Sequence, residues 1–229
     1  MKQLDIRENR YCRQSGLIKM DMLSTPITVI GCGAVGSFTT LALAKVGFHN
    51  LTVWDGDVIE EHNIPNQFYP LSAVGKSKTE ALVKMVKMFE GVKIKGINRF
   101  WTGAELRGVI ISAVDSMKVR SAIWKGVSRN IGIPVFIDGR MGGNQLEIYT
   151  VDVRNMEDRK RYMKTLYPDS ATAPVPCTER AVMYNVLNMA SWVVNQLRLV
   201  LSGKEYKRQM IMDLENMMLV IPEDVGNED

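Results

Sequence analysis

Cysteine and histidine are scarce, three of one and two of the other in 229 residues. Cys12, Cys32 and Cys177 are far apart and odd in number, which argues against a disulfide framework, and no paired Cys-x-x-Cys exists to hold structural zinc. His49 and His62 form no catalytic dyad. Long apolar runs are also missing. The opening MKQLDIRENR contains no apolar signal segment, and no window reaches the length of a membrane span. Charge of one sign is not concentrated: the formal net charge is +4, and the densest basic clusters are only Arg159–Arg161 and Lys204–Arg208. That argues against a nucleic-acid partner, which needs a sharper basic patch. There is no internal repeat, low-complexity tract or linker. Together these absences predict a cytoplasmic, reduced protein with no membrane attachment.

What is present fits one large α/β unit, with 46% apolar residues to bury. Continuously apolar, β-branched runs predict strands at Ile27–Gly31, Leu51–Trp54, Val92–Ile97, Val109–Val114 and Pro134–Ile137. Helical periods lie between them at Ala34–Val46, Ser77–Phe89 and Met117–Arg129. This alternation predicts a Rossmann-like, mostly parallel sheet with helices on both faces. After Gly143 the pattern changes. Gln145–Val151 alternates polar and apolar, as an antiparallel strand does, and Asp152–Pro176 reads as a long crossing loop. A helix over Thr178–Leu201 follows, then a closing hairpin, Gln209–Leu214 with Met217–Ile221, and a frayed tail. The expected division is an arm over 1–25, a nucleotide-binding core over 26–151, a crossover over 152–177, and the helix and hairpin over 178–229.

The chemistry centres on Ile27–Gly36, ITVIGCGAVG. Gly31, Gly33 and Gly36 fit G-x-G-x-x-G between a strand and a helix. Such glycines allow a tight turn, close approach of phosphate to backbone, and close helix–strand packing. Asp55 ends the next strand, 19 residues beyond Gly36, where a carboxylate can accept hydrogen bonds from ribose. A dehydrogenase would share these features. It would not need Lys78, a point charge suited to a triphosphate, nor Asp115 at the carboxyl edge of the sheet, where it suits Mg²⁺.

With these residues in hand, the chain resembles the ThiF/MoeB/HesA family, the adenylating domain of ubiquitin-activating enzymes and their bacterial relatives. The matching pieces, in order, are Arg10-x-x-Arg13-Gln14, the GCGAVG turn, Asp55-x-Asp57, Asn63-x-x-x-Gln67, Gly75-x-x-Lys78, and Asp115 followed by Ser116. They span roughly residues 7–150. The resemblance implies ATP- and Mg²⁺-dependent adenylation of the C-terminal glycine of a ubiquitin-like or sulfur-carrier protein ending in diglycine. It also implies that Gly33 and Ala34 offer backbone to phosphates and that Asp55 holds the ribose. Asn63, Gln67 and Lys78 would bind phosphates, and Asp115 would hold Mg²⁺. Arg13 would reach into the site of a second subunit of a homodimer.

Two departures stand out. Relatives usually carry Arg before the Gln, whereas this chain has Asn66, which cannot supply a bidentate charge. Arg140 and Lys76 are the candidates to compensate. The two Cys-x-x-Cys pairs of many zinc-binding relatives are also missing, so no zinc is expected. Cys177, before the expected helix with Arg180 near it, admits two readings: a thiolate that accepts the activated tail, or a small residue at a helix start. Three rival functions stand beside this one: adenylation of a peptide or a tRNA base, a non-catalytic scaffold binding ATP or a ubiquitin-like protein, and an NAD-dependent oxidoreductase. Lys78, Asn63 and Asp115 together disfavour the last.

Overall fold

The computed structural model describes residues 10–168 and 181–222. Its first β-α unit follows directly from residue chemistry. The β-branched stretch Ile27–Ile30 forms β1, buried along its length, and Ala34–Val46 forms helix α1. Gly47 closes α1 in the left-handed conformation, φ 113°, which glycine adopts without a Cβ penalty. Strand β2 spans Leu51–Asp55. Helix α2, Lys78–Glu90, starts at an N-cap, Ser77, whose hydroxyl accepts the Glu80 N–H. Strand β3 (Lys95–Asn98), strand β4 (Val109–Ser112) and helix α3 (Met117–Val127) complete the parallel half. Strands β5 (Val135–Gly142) and β6 (Gln145–Asp152) form a hairpin, and helix α4 (Met156–Lys164), helix α5 (Met183–Leu201), β7 (Gln209–Asp213) and β8 (Met218–Val220) follow.

The eight strands make one sheet in the order β3-β2-β1-β4-β5-β6-β7-β8. Pairing is parallel from β3 to β5 and antiparallel from β5 to β8. The expected Rossmann-like sheet with an antiparallel extension is therefore what forms. Helices α1, α2 and α5 cover one face, burying Val29, Ile111, Ile137 and Ile148 with Leu43, Leu82, Met189 and Val193. Helices α3 and α4 cover the other, where Trp124, Phe136 and Tyr149 each pack edge to face with Tyr162.

Three expectations need correction. The stretch read as a bare crossing loop contains α4, because Asn155 accepts the Glu157 and Asp158 N–H groups as an N-cap. The helix expected from Thr178 starts at Met183, with Val182 still extended as its N-cap. Strand β5 runs on to Gly142 because its hairpin partner β6 pairs with it residue for residue. Cys177, Thr178, Arg180 and the tail after Ile221 and Pro222 lie outside the described residues. Among the described residues no helix is long and apolar enough to cross a membrane.

Candidate nucleotide site

The order of the sheet locates a crevice. From β1 the chain leaves to α1 on one face, and from the neighbouring β4 it leaves to α3 on the other. Ligands of open α/β sheets bind at this kind of divergence, outside the carboxyl ends of the strands. The GCGAVG turn lies there. Gly31 has φ 96°, and a methyl group on it would fall 2.5 Å from the Ala113 carbonyl oxygen. A methyl on Gly36 would fall 1.8 Å from the Gly31 oxygen, so α1 approaches β1 only because Gly36 has no side chain. Gly33 is different: a methyl there would meet nothing nearer than Gln67 Nε2, at 4.0 Å. It is the N-cap of α1 and supplies no capping side chain, which leaves the first-turn N–H groups, Ala34 among them, open to an anion.

A chain of contacts ties the other residues to this turn. Asp55, buried at the end of β2, accepts the Cys32 N–H at 2.6 Å and the Asp57 N–H at 2.8 Å. Asp57 in turn pairs through Oδ2 with Lys78 Nζ at 2.9 Å, and its carbonyl accepts the Lys78 N–H. The ammonium of Lys78 is thus held almost buried at the start of α2, three contacts from the glycine turn. Cys32 is a buried filler. Burial, and after it the charge of Asp55, raises its thiol pKa well above the ordinary value. Tyr69 donates its hydroxyl to the Cys32 carbonyl at 2.6 Å, a brace that the sequence reading missed.

The segment Glu61–Gln67 forms one wall. Asn63 and Glu60 close a capping box in which Asn63 Oδ1 accepts the Glu60 N–H, so its amide N–H donors remain for an anion. Asn66 Nδ2 donates to the Ala181 carbonyl at 3.3 Å, linking this wall to the approach to α5. That bond fixes the amide orientation and leaves Asn66 Oδ1, like Gln67 Oε1, buried without a partner among the described residues. Two adjacent orphaned acceptors beside an open helix N-terminus fit a bound polar molecule.

Asp115 is exposed in the turn between β4 and α3, and Ser116 caps α3 by accepting the Val119 N–H. An exposed carboxylate at a strand end suits Mg²⁺, which takes one or two protein carboxylates with phosphate oxygens and water. Among the described residues no group of three or more His, Cys, Asp or Glu could enclose a metal.

Two of the expected residues, Arg13 and Arg140, do not serve the glycine turn of their own chain. Arg13 is exposed in a 3₁₀ turn, Cys12–Gln14, whose Gln14 donates to the Val46 carbonyl. Val46 ends α1 at the far side from the glycine turn, roughly 20 Å away for a helix of that length. Arg140 has all three guanidinium nitrogens committed: Nε to Asp138 at 2.7 Å, and the other two to the Thr165 carbonyl and hydroxyl at 2.9 Å. It therefore does not replace the arginine missing at Asn66. Lys76 is exposed on the turn before α2. Cys177 itself is outside the described residues.

A model of the ThiF family matches residues 13–220. The chain belongs to the ThiF family. It is 31% identical over 156 residues to the tRNA threonylcarbamoyladenosine dehydratase of Haemophilus influenzae, covering 62% of this chain and 59% of that one. It is 28% identical over 144 residues to ubiquitin-like modifier-activating enzyme 5 of Aedes aegypti, covering 52% of this chain and 36% of that one. The matched region thus spans well under two thirds of either relative. Among solved structures, PaaA superposes with a TM-score of 0.75 at 16% identity, covering 97% of this chain and 74% of that one. Escherichia coli MccB, crystallised with AMPCPP and MccA, superposes at 0.72 and 14% identity, covering 93% and 70%. These two share the ThiF fold.

Proposed function

We propose that this ThiF-family chain binds Mg·ATP at the glycine turn and transfers AMP to a carboxylate, that of a C-terminal glycine on a ubiquitin-like or sulfur-carrier protein. The observation that carries this reading is the uncapped N-terminus of α1 with a nearly buried ammonium, Lys78, three contacts away. Open N–H groups suit the phosphates of any nucleotide, NAD included, whereas the ammonium suits a triphosphate and is not needed by a hydride acceptor. Asp55 would take the ribose hydroxyls with the lone pairs that its backbone contacts leave. Asn63 and Gln67 would orient the phosphates. Asp115 would hold Mg²⁺, which when bound supplies charge neutralisation on the phosphate oxygens. Lys78 would exchange Asp57 for phosphate, and its charge would be strengthened by exclusion of water. The rest of the rate would come from holding the carboxylate in line with the α-phosphate.

The similarity to ubiquitin-like modifier-activating enzyme 5 supports a protein acceptor. The 31% identity to the threonylcarbamoyladenosine dehydratase supports a second reading, activation of the carboxylate on a modified tRNA base. Arg13, far from its own chain's glycine turn, would serve the site of a second copy in a homodimer. Cys177 is proposed only as a further acyl acceptor, and the assignment of the protein to the cytoplasm remains part of the proposal. ATP–pyrophosphate exchange separates the possibilities. Exchange that needs a diglycine carrier supports the first reading, and exchange that needs threonylcarbamoyl-tRNA supports the second. ATP binding without exchange in the presence of either leaves a scaffold, and NAD binding without ATP binding overturns the nucleotide assignment.

A further inference from the structure

The strand order fixes the direction in which a nucleotide must lie. Its phosphates are expected at the end of β1 and its ribose at Asp55, the end of β2. The next strand outward is β3, whose last residue, Asn98, stands beside Asp55 in the parallel register. A base attached to that ribose therefore points away from β1, towards the residues that follow β3. Two residues on is Phe100, a residue 63% exposed. Isolated exposed aromatics are common and need no explanation. This one is pressed against the ribose turn. A methyl group on Gly56, between Asp55 and Asp57, would fall 2.9 Å from Phe100 Cδ2, 3.0 Å from Cε2 and 3.0 Å from the Phe100 backbone nitrogen. The ring thus rests directly on the peptide beside the ribose carboxylate. Its neighbour Arg99 is drawn the other way, its guanidinium carbon 5.2 Å from the centre of the Trp54 ring.

We infer that Phe100 is the platform on which the purine base of the nucleotide stacks, and that Gly56 is glycine so that the ring can lie directly against the ribose turn. This rests on the ATP-binding reading above and adds the residue that recognises the base. Stacking on an aromatic ring tolerates any base, so the platform contributes affinity rather than selection among purines.

Calorimetric titration of the full chain tests this, with ATP and with tripolyphosphate as a probe lacking ribose and base. Phe100→Ala, a change at an exposed position, is expected to weaken ATP roughly tenfold, in the range measured for loss of one stacked base. Tripolyphosphate binding should not change, and Phe100→Trp should bind ATP as tightly as the wild type. Unchanged ATP affinity in Phe100→Ala overturns the platform and leaves the ATP reading standing. An equal loss for ATP and tripolyphosphate also overturns it, because the ring would then be shaping the turn. Failure of the wild type to bind ATP overturns both.

Discussion

Asp55 and Asp138 are both buried carboxylates on parallel strands that open towards the same edge of the sheet, yet they are satisfied by different means. Asp55 is braced by backbone, through the N–H groups of Cys32 and Asp57. Asp138 is braced by side chains: Arg120 Nε at 2.8 Å, Arg140 Nε at 2.7 Å and the Tyr162 hydroxyl at 2.9 Å. A carboxylate offers about four acceptor sites. Two backbone contacts leave Asp55 with capacity for a ligand. Three side chains, two of them cationic, enclose Asp138, and Arg120 also donates to the Val114 carbonyl at 2.6 Å, just before Asp115. Arg140 lies against the ring of Tyr149, 4.2 Å from its centre, and its charge, offset by burial but favoured by Asp138, is held above its ordinary pKa. One carboxylate is kept available at the mouth of a crevice. The other locks α3 and α4 to the sheet.

The largest expected effect follows from removing the lock. Asp138→Ala leaves two buried guanidiniums without their partner, and losing one side of a buried ion pair costs about 3–5 kcal/mol. Urea denaturation should show this as a large fall in midpoint with little change in slope. A loss below about 1 kcal/mol would mean the network is not what holds α3 and α4. Asp55→Ala is expected to be milder for the fold, about 1–3 kcal/mol for two orphaned N–H groups, and severe for ATP affinity. If Asp55→Ala costs more stability than Asp138→Ala, the distinction between an available and an enclosed carboxylate fails.

The two halves of this comparison were not equally legible in the sequence. The glycine turn, Asp55, Lys78 and Asp115 could be named because each occupies a fixed offset from a strand or helix end, and α1 was placed to the residue. Asp138, Arg120 and Tyr162 could not, since they converge from β5, α3 and α4 only when the two faces of the sheet are assembled. Helix α4 did leave a signal. Asn155 is followed by Glu157 and Asp158, with Arg161 and Lys164 closing the helix, a charge order that complements the helix dipole. Its low apolar content hid it, because a helix that buries little more than Asp158 and Tyr162 has almost no hydrophobic period to read. Phe100 was invisible for another reason: its significance depends on a glycine 44 positions earlier in the chain (100 against 56) lying under its ring.

The smallest expected effect concerns a third carboxylate of the enclosed kind. Asp158, buried at the start of α4, accepts the Tyr206 hydroxyl at 3.1 Å and Arg208 Nε at 2.5 Å, tying α4 to the approach to β7. Burial first, and then the charge of Asp158, pushes the Tyr206 phenol up to about 12. Below the unfolded value near 10, both states hold the proton and the contribution to stability is fully present. Between about pH 10 and 12 the unfolded chain releases its proton while the folded chain keeps it, so stability falls as pH rises. Tyr162 shifts in the same direction, by burial and then by Asp138. Tyr206→Phe cannot titrate, so its urea midpoint should fall less steeply than that of the wild type between pH 10 and 12, and Tyr162→Phe should show the same sign. Lysine deprotonation affects wild type and variants alike and cancels in the difference. The half-exposed position of Tyr206 keeps the difference small. Parallel curves for Tyr206→Phe and wild type would mean that Asp158 is held by Arg208 and the Asp152 N–H without the tyrosine, and that tyrosine closes only the carboxylate at Asp138.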